Sequence, residues 1–195
     1  MGKFRADKAL FLLLKEKDKE AFIKAYDLHL DDIYRFIFFK IGTHEEAEDL
    51  TAAVFLKTWD YIQTNDIIAY SSLKSFLYKV ARNLVIDHYR KKSLEKNVIS
   101  GDVPAALDLP DVNQNIHRQL ELRDDYGLIE KKLFELKDEY REVITLRYIN
   151  ELSIAEIART LDKSRGNVRV LIYRSIKALK ELTNENKNSE EEIKK

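Results

Sequence analysis

Proline occurs only twice in this 195-residue chain, at Pro104 and Pro110, and both fall in a single stretch that also holds Gly101. Proline removes a backbone donor and clashes with the preceding helical turn. Its confinement to one stretch leaves long spans on either side free to be helical. Glycine is scarce too, with five in the whole chain, whereas Leu, Lys, Glu and Ala are abundant. These are strong helix formers, and no stretch alternates apolar with polar residues for long enough to suggest a strand. The expected fold class is therefore all-α, as two small helical domains joined by a flexible linker. Each half could bury only a modest core, so neighbouring helices must share their apolar faces.

Apolar periodicity places the helices. Asp18 is a candidate cap for a helix with Ala21, Phe22, Ala25 and Tyr26 on one face, continuing through Ile33, Phe36, Ile37 and Phe38 until Gly42 stops it. A second helix starts near Thr43, with Glu46 three residues on as a candidate capping box, and runs through Ala47, Leu50, Val54, Phe55 and Trp59. Residues 63–72 read as a loop. A third helix, from Ser72 to about Lys92, carries Leu73, Phe76, Leu77, Val80, Ala81, Leu84 and Val85 at helical spacing. The pattern fails over 94–115, the linker, then returns over about Ile116–Leu136 and Asp138–Tyr148. The end of the chain, from residue 184 on, is polar and expected to be disordered.

The most informative stretch is SIAEIARTLDKSRGNVRVLIYRS, residues 153–175. Ser153 and Glu156 form an S-x-x-E capping box before the stripe Ile154, Ile157, Ala158 and Leu161. Asp162, Lys163 and Ser164 break the pattern, and Ser164 can cap a second helix expected to bury Val168, Ile172, Ile176 and Leu179. Arg165, Arg169 and Tyr173 succeed one another on its outer face, with Arg174 and Lys177 alongside. A short helix, a tight turn and a basic helix make the shape that docks in a DNA major groove, where residues at the start of the second helix reach base edges. The candidate contacts are Ser164, Arg165, Asn167, Arg169, Tyr173 and Arg174.

The formal net charge of zero does not oppose this, because the charge is unevenly spread. Residues 163–180 hold six Lys/Arg and no acid, and residues 72–96 hold seven against two acids. Two separated basic helices on a neutral chain suggest two surfaces for a polyanion.

At these residues a family resemblance emerges. Leu136–Tyr148, Leu152–Ala158 and Ser164–Arg169 resemble the region 4 pattern of bacterial sigma factors, close to L-P-x-x-x-R-E-V-x-x-L-R-Y, L-S-x-x-E-I-A and S-x-G-x-V-[KR], and in particular the extracytoplasmic-function (ECF) group. Lys137 replaces the usual proline, and Arg165 adds a charge before Gly166. Val170 and Leu171 stand where many relatives carry polar or basic residues, so Arg165, Val170 and Leu171 are expected to influence promoter choice. In the first half, EEAEDLTAAVFLKTW (45–59) is similar to region 2.2. SLKSFLYKVARNLVIDHYRKK (72–92) is similar to the helix of regions 2.3 and 2.4.

The resemblance implies a division of labour. Residues 1–93 would be a region 2-like domain for core RNA polymerase and the −10 element, 94–115 the linker, 116–183 a region 4-like helix-turn-helix domain for the −35 element, and 184–195 a tail. The polymerase-binding candidates are Asp49, Ala52, Ala53 and Lys57, with Ala52 and Ala53 replacing the family's usual Gln-Glu. Those for the −10 element are Asn65, Tyr70, Lys79, Arg82, Asn83 and Arg90, with Lys91 and Lys92 adding charge. Promoter opening captures unpaired non-template bases by stacking and cationic contacts. The partners implied are core polymerase, promoter double-stranded DNA and its non-template single strand, and an anti-sigma factor. A linker of about 22 residues spans on the order of 70 Å when extended, roughly two turns of DNA at about 34 Å each.

Other functions find little footing. There are no cysteines for disulfides or thiolate metal sites. The four histidines are scattered, with no HExxH, phosphate-binding glycine loop or nucleophile elbow, so neither catalysis nor a cofactor nor a metal is expected. The apolar run Ala9–Leu14 is too short for a membrane span or a signal-peptide core, which makes a cytoplasmic protein the expectation. A DNA-binding regulator of sigma-like ancestry that does not drive initiation, and a helical adaptor that binds only protein, are the alternatives.

Overall fold

The computed structural model describes the backbone of residues 2–65, 72–100 and 126–193, and the side chains of 9–65, 72–94 and 130–183. No strand occurs among the described residues. The chain divides into two compact units, Met1–Asp111 and Val112–Lys195.

The first unit holds α1 (Gly2–Lys15), α2 (Lys19–Ile41), α3 (His44–Thr64) and α4 (Leu73–Ser100). Asp18 caps α2 as its sequence suggests, its Oδ1 accepting from the Ala21 N–H at 2.9 Å. Gly42 ends the helix in the left-handed region, at φ 82°, its N–H donating to the Phe38 carbonyl at 2.8 Å. Only a residue without Cβ adopts this conformation at no cost. The expected capping box at Thr43 does not form. Its Oγ1 donates to Glu46 Oε2 at 2.7 Å and caps no backbone group. The other Glu46 oxygen, Oε1, accepts from Lys92 Nζ at 2.7 Å, so the start of α3 is tied to α4 instead.

Helices α2, α3 and α4 pack on one another, and α1 lies against α2 and α4. The centre of the unit is formed by Ile33, Phe36, Ile37, Val54, Phe55, Leu73, Phe76, Leu77 and Ala81, all buried. Burial of each large side chain stabilises the unit by about 1.5–3 kcal/mol. Aromatic edges hold the helices in register, with Phe36 against Tyr78 at 5.3 Å and Tyr61 against Phe76 at 5.1 Å.

The second unit holds α5 (Tyr126–Glu135), α6 (Asp138–Ile144), α7 (Ile154–Leu161) and α8 (Arg165–Ile193). Beyond Ile144 the chain runs on as a π-helical turn, Thr145–Ile149, closed by Asn150 N–H donating to the Thr145 carbonyl at 2.9 Å. The extra residue shifts the register, leaving Leu146 buried and Tyr148 exposed. Arg147 Nη1 then donates to the Leu152 carbonyl at 2.8 Å and holds the connection to α7. Leu133, Phe134, Val143, Leu146, Leu152, Ile157, Leu161 and Val168 make the core.

Helix ends depart from expectation where composition was a poor guide. Helix α4 runs to Ser100, into the stretch expected as linker, because SLEKNVIS contains no breaker before Gly101. Helix α8 continues to Ile193, so residues 184–193 extend it instead of forming the disordered tail expected of their polarity. They contain no glycine or proline, and polarity alone does not stop a helix already nucleated upstream.

Candidate nucleic-acid interface

In the second unit, α7, its turn and α8 form a helix-turn-helix. The Ser153–Glu156 capping box is complete: Ser153 Oγ accepts from the Glu156 N–H at 3.3 Å, and Glu156 Oε2 accepts from the Ser153 N–H at 2.9 Å. Asp162 ends α7 in the left-handed region at φ 53°, a conformation aspartate tolerates better than most residues. The Lys163 N–H donates to the Ala158 carbonyl at 2.9 Å, and Lys163 Nζ lies 3.0 Å from Glu139 Oε1 on α6. Ser164 Oγ accepts from the Asn167 N–H at 3.1 Å and so starts α8. Its hydroxyl therefore positions the helix first.

Side-chain burial fixes the orientation of α8. Val168, Leu171 and Ser175 are buried, and the Ser175 hydroxyl donates to the Leu171 carbonyl at 2.7 Å. Ile172, Ile176 and Leu179, expected in the core with Val168, are only half-buried at its edge. Leu171 is the larger correction: at 8% exposure it belongs to the packed side and not to the face that could influence recognition. It lies three residues from Val168, on the same side of the helix.

At about 100° per residue, the crest opposite that packed side is Gly166, Val170, Tyr173 and Lys177. Val170 is 49% exposed and Tyr173 70%. Arg165 and Arg169 lie along one flank, Asn167 and Arg174 along the other, all exposed. None of these three arginines forms an ion pair with a described residue. Over its first two turns the outer face is thus a ridge of Val170 and Tyr173 between two polar, cationic edges, with Lys177 beyond, where the sequence suggested a plain basic face.

In the first unit, Lys79, Asn83, Asp87 and Arg90 follow one another on α4 at spacings of three and four, opposite the buried Leu77, Ala81, Val85 and Tyr89, with Arg82 at the edge of that row. Lys79 and Arg82 are half-buried, and Asn83 and Arg90 are exposed. Asp87 Oδ1 lies 3.7 Å from Arg90 Nη1 and can orient it. Tyr89 is a core residue whose hydroxyl donates to the Lys40 carbonyl. Lys92 is held by Glu46, away from the role of added charge expected of it. Asn65 is exposed and caps the end of α3, its Nδ2 donating to the Tyr61 carbonyl at 3.3 Å. Tyr70 lies outside the described residues.

A third surface lies on α3. Asp49, Ala52 and Lys57 are exposed and Ala53 half-buried, along one stripe. Leu56, which sequence reasoning missed, stands in the same stripe at 72% exposure. A helical wheel from Asp49 would have found it seven residues on, next to Val54 and Phe55, which turn inward. Beside the stripe, Tyr26, Leu30, Asp31, Tyr34, Glu48, Thr51 and Ala52 line a shallow groove of about 330 Å³ between α2 and α3.

Among the described residues, no group of three or more His, Asp and Glu side chains is placed to hold a metal ion, and no helix is long and apolar enough to cross a membrane.

Comparison with known proteins accounts for both units. Residues 25–95 match the family described as Sigma-70 region 2, and residues 126–179 match Sigma-70, region 4. The chain is 31% identical to the ECF RNA polymerase sigma factor BldN of Streptomyces coelicolor, over 91% of this chain and 67% of that protein. It is 32% identical to the ECF RNA polymerase sigma factor SigM of Bacillus subtilis, over 85% of this chain and 96% of that protein. Its fold is similar to that of the sigma factor RpoE from Bartonella quintana, solved in complex with the anti-sigma factor NepR, with a TM-score of 0.66 at 23% identity over 84% of this chain and 96% of that one. Sigma factors act in transcription and are not enzymes. With both regions present in order and curated relatives matched along most of its length, the chain belongs to the ECF sigma factors of the sigma-70 family.

Proposed function

We propose that this sigma factor binds core RNA polymerase and directs promoter-specific initiation through two separate DNA contacts. Residues 1–93 serve the polymerase and the −10 element, 116–183 serve the −35 element, and 94–115, whose first residues continue α4 to Ser100, tether the two. The observation that carries this reading is that each unit presents a helix with arginine and amide side chains on its outer side: exposed Asn83 and Arg90 with half-buried Arg82 on α4, and exposed Arg165, Asn167, Arg169 and Arg174 along the two flanks of α8. Two weak contacts joined by a tether bind more tightly together than either does alone.

On α8, Arg165, Asn167, Arg169, Tyr173 and Arg174 meet the major groove, with Ser164 fixing the helix start. On α4, Lys79, Arg82, Asn83 and Arg90 track the non-template strand, with Asn65, at the end of α3, and Tyr70 contributing from the residues before α4. Core polymerase is bound by the α3 stripe of Asp49, Ala52, Ala53 and Lys57. Leu56 gives that stripe an apolar anchor where Ala52 and Ala53 offer little reach. This supports polymerase binding over a regulator that contacts DNA alone. An anti-sigma factor is a further partner, as for the RpoE relative, and the site of action is the cytoplasm, where the polymerase is.

Footprinting of promoter DNA with this chain and purified core polymerase tests the reading. Two protected blocks about two helical turns apart are expected, with unpaired bases confined to the downstream one. A single block, or protection that does not depend on polymerase, would contradict it.

A further inference from the structure

We propose that Val170 reads the 5-methyl group of a thymine in the upstream promoter element, so that α8 selects sequence by apolar contact at its crest as well as through its arginines. This rests on the assignment of α8 to the major groove of that element.

The crest of α8 is where a docked helix approaches the base edges most closely. Its first position, Gly166, has no side chain, and a Cβ built there would meet only Ser164 Oγ, at 3.8 Å. The first turn is therefore low, and Val170, one turn on, is the first side chain to stand out from the crest. It is 49% exposed. Tyr173 continues the ridge at 70% exposure, and its hydroxyl is available to a phosphate oxygen.

A lone exposed valine on a protein surface needs no explanation. This one sits between Arg169 and Arg174, on the side of α8 opposite the buried Val168, Leu171 and Ser175. Docking would take it out of water wherever the flanking arginines find their partners.

The identity of the base follows from what the groove presents. Guanine offers two acceptors, cytosine an amino donor and adenine one of each; only thymine adds an apolar group, its methyl. Valine has no donor or acceptor. Pressed against the polar edges of the other bases, it would strip water from groups that then lack a hydrogen-bond partner. Against a thymine methyl it buries apolar surface on both sides. The same side chain thus favours one base and disfavours the others.

Thymine and deoxyuridine differ by this methyl alone, which makes the test direct. The full chain, wild type or Val170→Ser, is combined with core polymerase. Affinity is then measured for duplexes in which each thymine of the protected upstream block is replaced in turn by deoxyuridine. Wild type is expected to lose about fourfold at one thymine, the worth of one methyl group withdrawn from water. Val170→Ser is expected to bind both duplexes equally at that position. If the upstream block is protected yet no thymine is sensitive, the proposal is wrong and the two-contact reading stands. If a sensitive thymine stays equally sensitive in Val170→Ser, another side chain reads the methyl and the assignment to Val170 is wrong. If no upstream block is protected, the proposal falls together with the reading beneath it.

Discussion

Lys163 Nζ lies 3.0 Å from Glu139 Oε1, which ties the turn of the helix-turn-helix to the first turn of α6. Both side chains are well exposed, so the pair adds less than about 1 kcal/mol to stability. Its larger effect is on charge: the acid neutralises the cation two residues before α8. Glu139→Gln is expected to leave thermal unfolding nearly unchanged while raising affinity for upstream DNA. The salt dependence should steepen by up to about one unit of slope, the signature of one added phosphate contact. An unchanged slope in a salt titration would show that Lys163 stays away from the backbone.

Glu46 supplies a pH-dependent link in the other unit. Burial pushes its carboxyl up, but hydrogen bonds from Lys92 and Thr43, with the nearby charges of Lys92 and His88, outweigh this and hold it below its ordinary value of 4.5. A carboxyl with a lowered folded-state pKa contributes stability at neutral pH and loses it as pH falls through the carboxylate range. Glu46→Gln is therefore expected to lower stability at pH 7 by about 0.5 kcal/mol, the scale of a partly exposed pair. The difference from wild type should shrink as pH falls and close once the folded-state carboxyl is protonated, below the ordinary carboxylate range. Denaturant unfolding at neutral and acid pH checks this; a gap that persists in acid would mean that charge is not the cause.

Arg141 is buried, although an arginine in a helix-turn-helix unit invites assignment to DNA. Its Nη1 donates to the Phe134 carbonyl at 3.1 Å and its Nη2 to Asp138 Oδ1 at 3.3 Å, while its guanidinium lies 5.0 Å from the centre of the Phe134 ring. It fastens α5 to α6. Arg141→Ala is expected to destabilise the second unit by about 2 kcal/mol, the cost of leaving a buried carbonyl unpaired. Hydrogen exchange over residues 126–183 would register this as faster exchange. Unaltered protection there would show that Arg141 does not hold α5 to α6.

The sequence made some of this legible and hid the rest for physical reasons. Caps at Asp18, Gly42, Ser153 and Ser164 were readable because each is a local event set by one or two residues. Thr43 and Glu46 fit the same capping pattern, yet Glu46 bonds to Lys92, forty-six residues away. No local pattern contains such a partner. The helix-turn-helix was evident, but its orientation was not: Leu171 and Ile172 are adjacent and apolar, and only the packing of α8 against α6 and α7 decides which one faces the core. The π turn at Thr145–Ile149 likewise shifts the register after Ile144 with no glycine or proline to announce it. Leu56 went unnoticed because apolar residues ordinarily turn inward, whereas this one stands in solvent.

Arg169 separates the two proposed contacts. It flanks the crest of α8, fully on the outer side of the second unit. Arg169→Ala is expected to weaken protection of the upstream block by about tenfold, as loss of one arginine contact of about 1–3 kcal/mol would. Reactivity of unpaired bases in the downstream block, once the complex is saturated, should be unchanged. Equal loss at both blocks, measured by footprinting across a titration, would show that the two units do not act as separate readers.

The most direct test is transcription from a promoter fragment by purified core polymerase, with and without this chain, alongside gel filtration of the mixture. Wild type is expected to co-elute with the polymerase and to yield a transcript from one defined start that is absent without it. Asp49→Arg, in the exposed α3 stripe, is expected to lose both. Failure of the wild-type chain to co-elute, together with no start-specific transcript, would contradict the account.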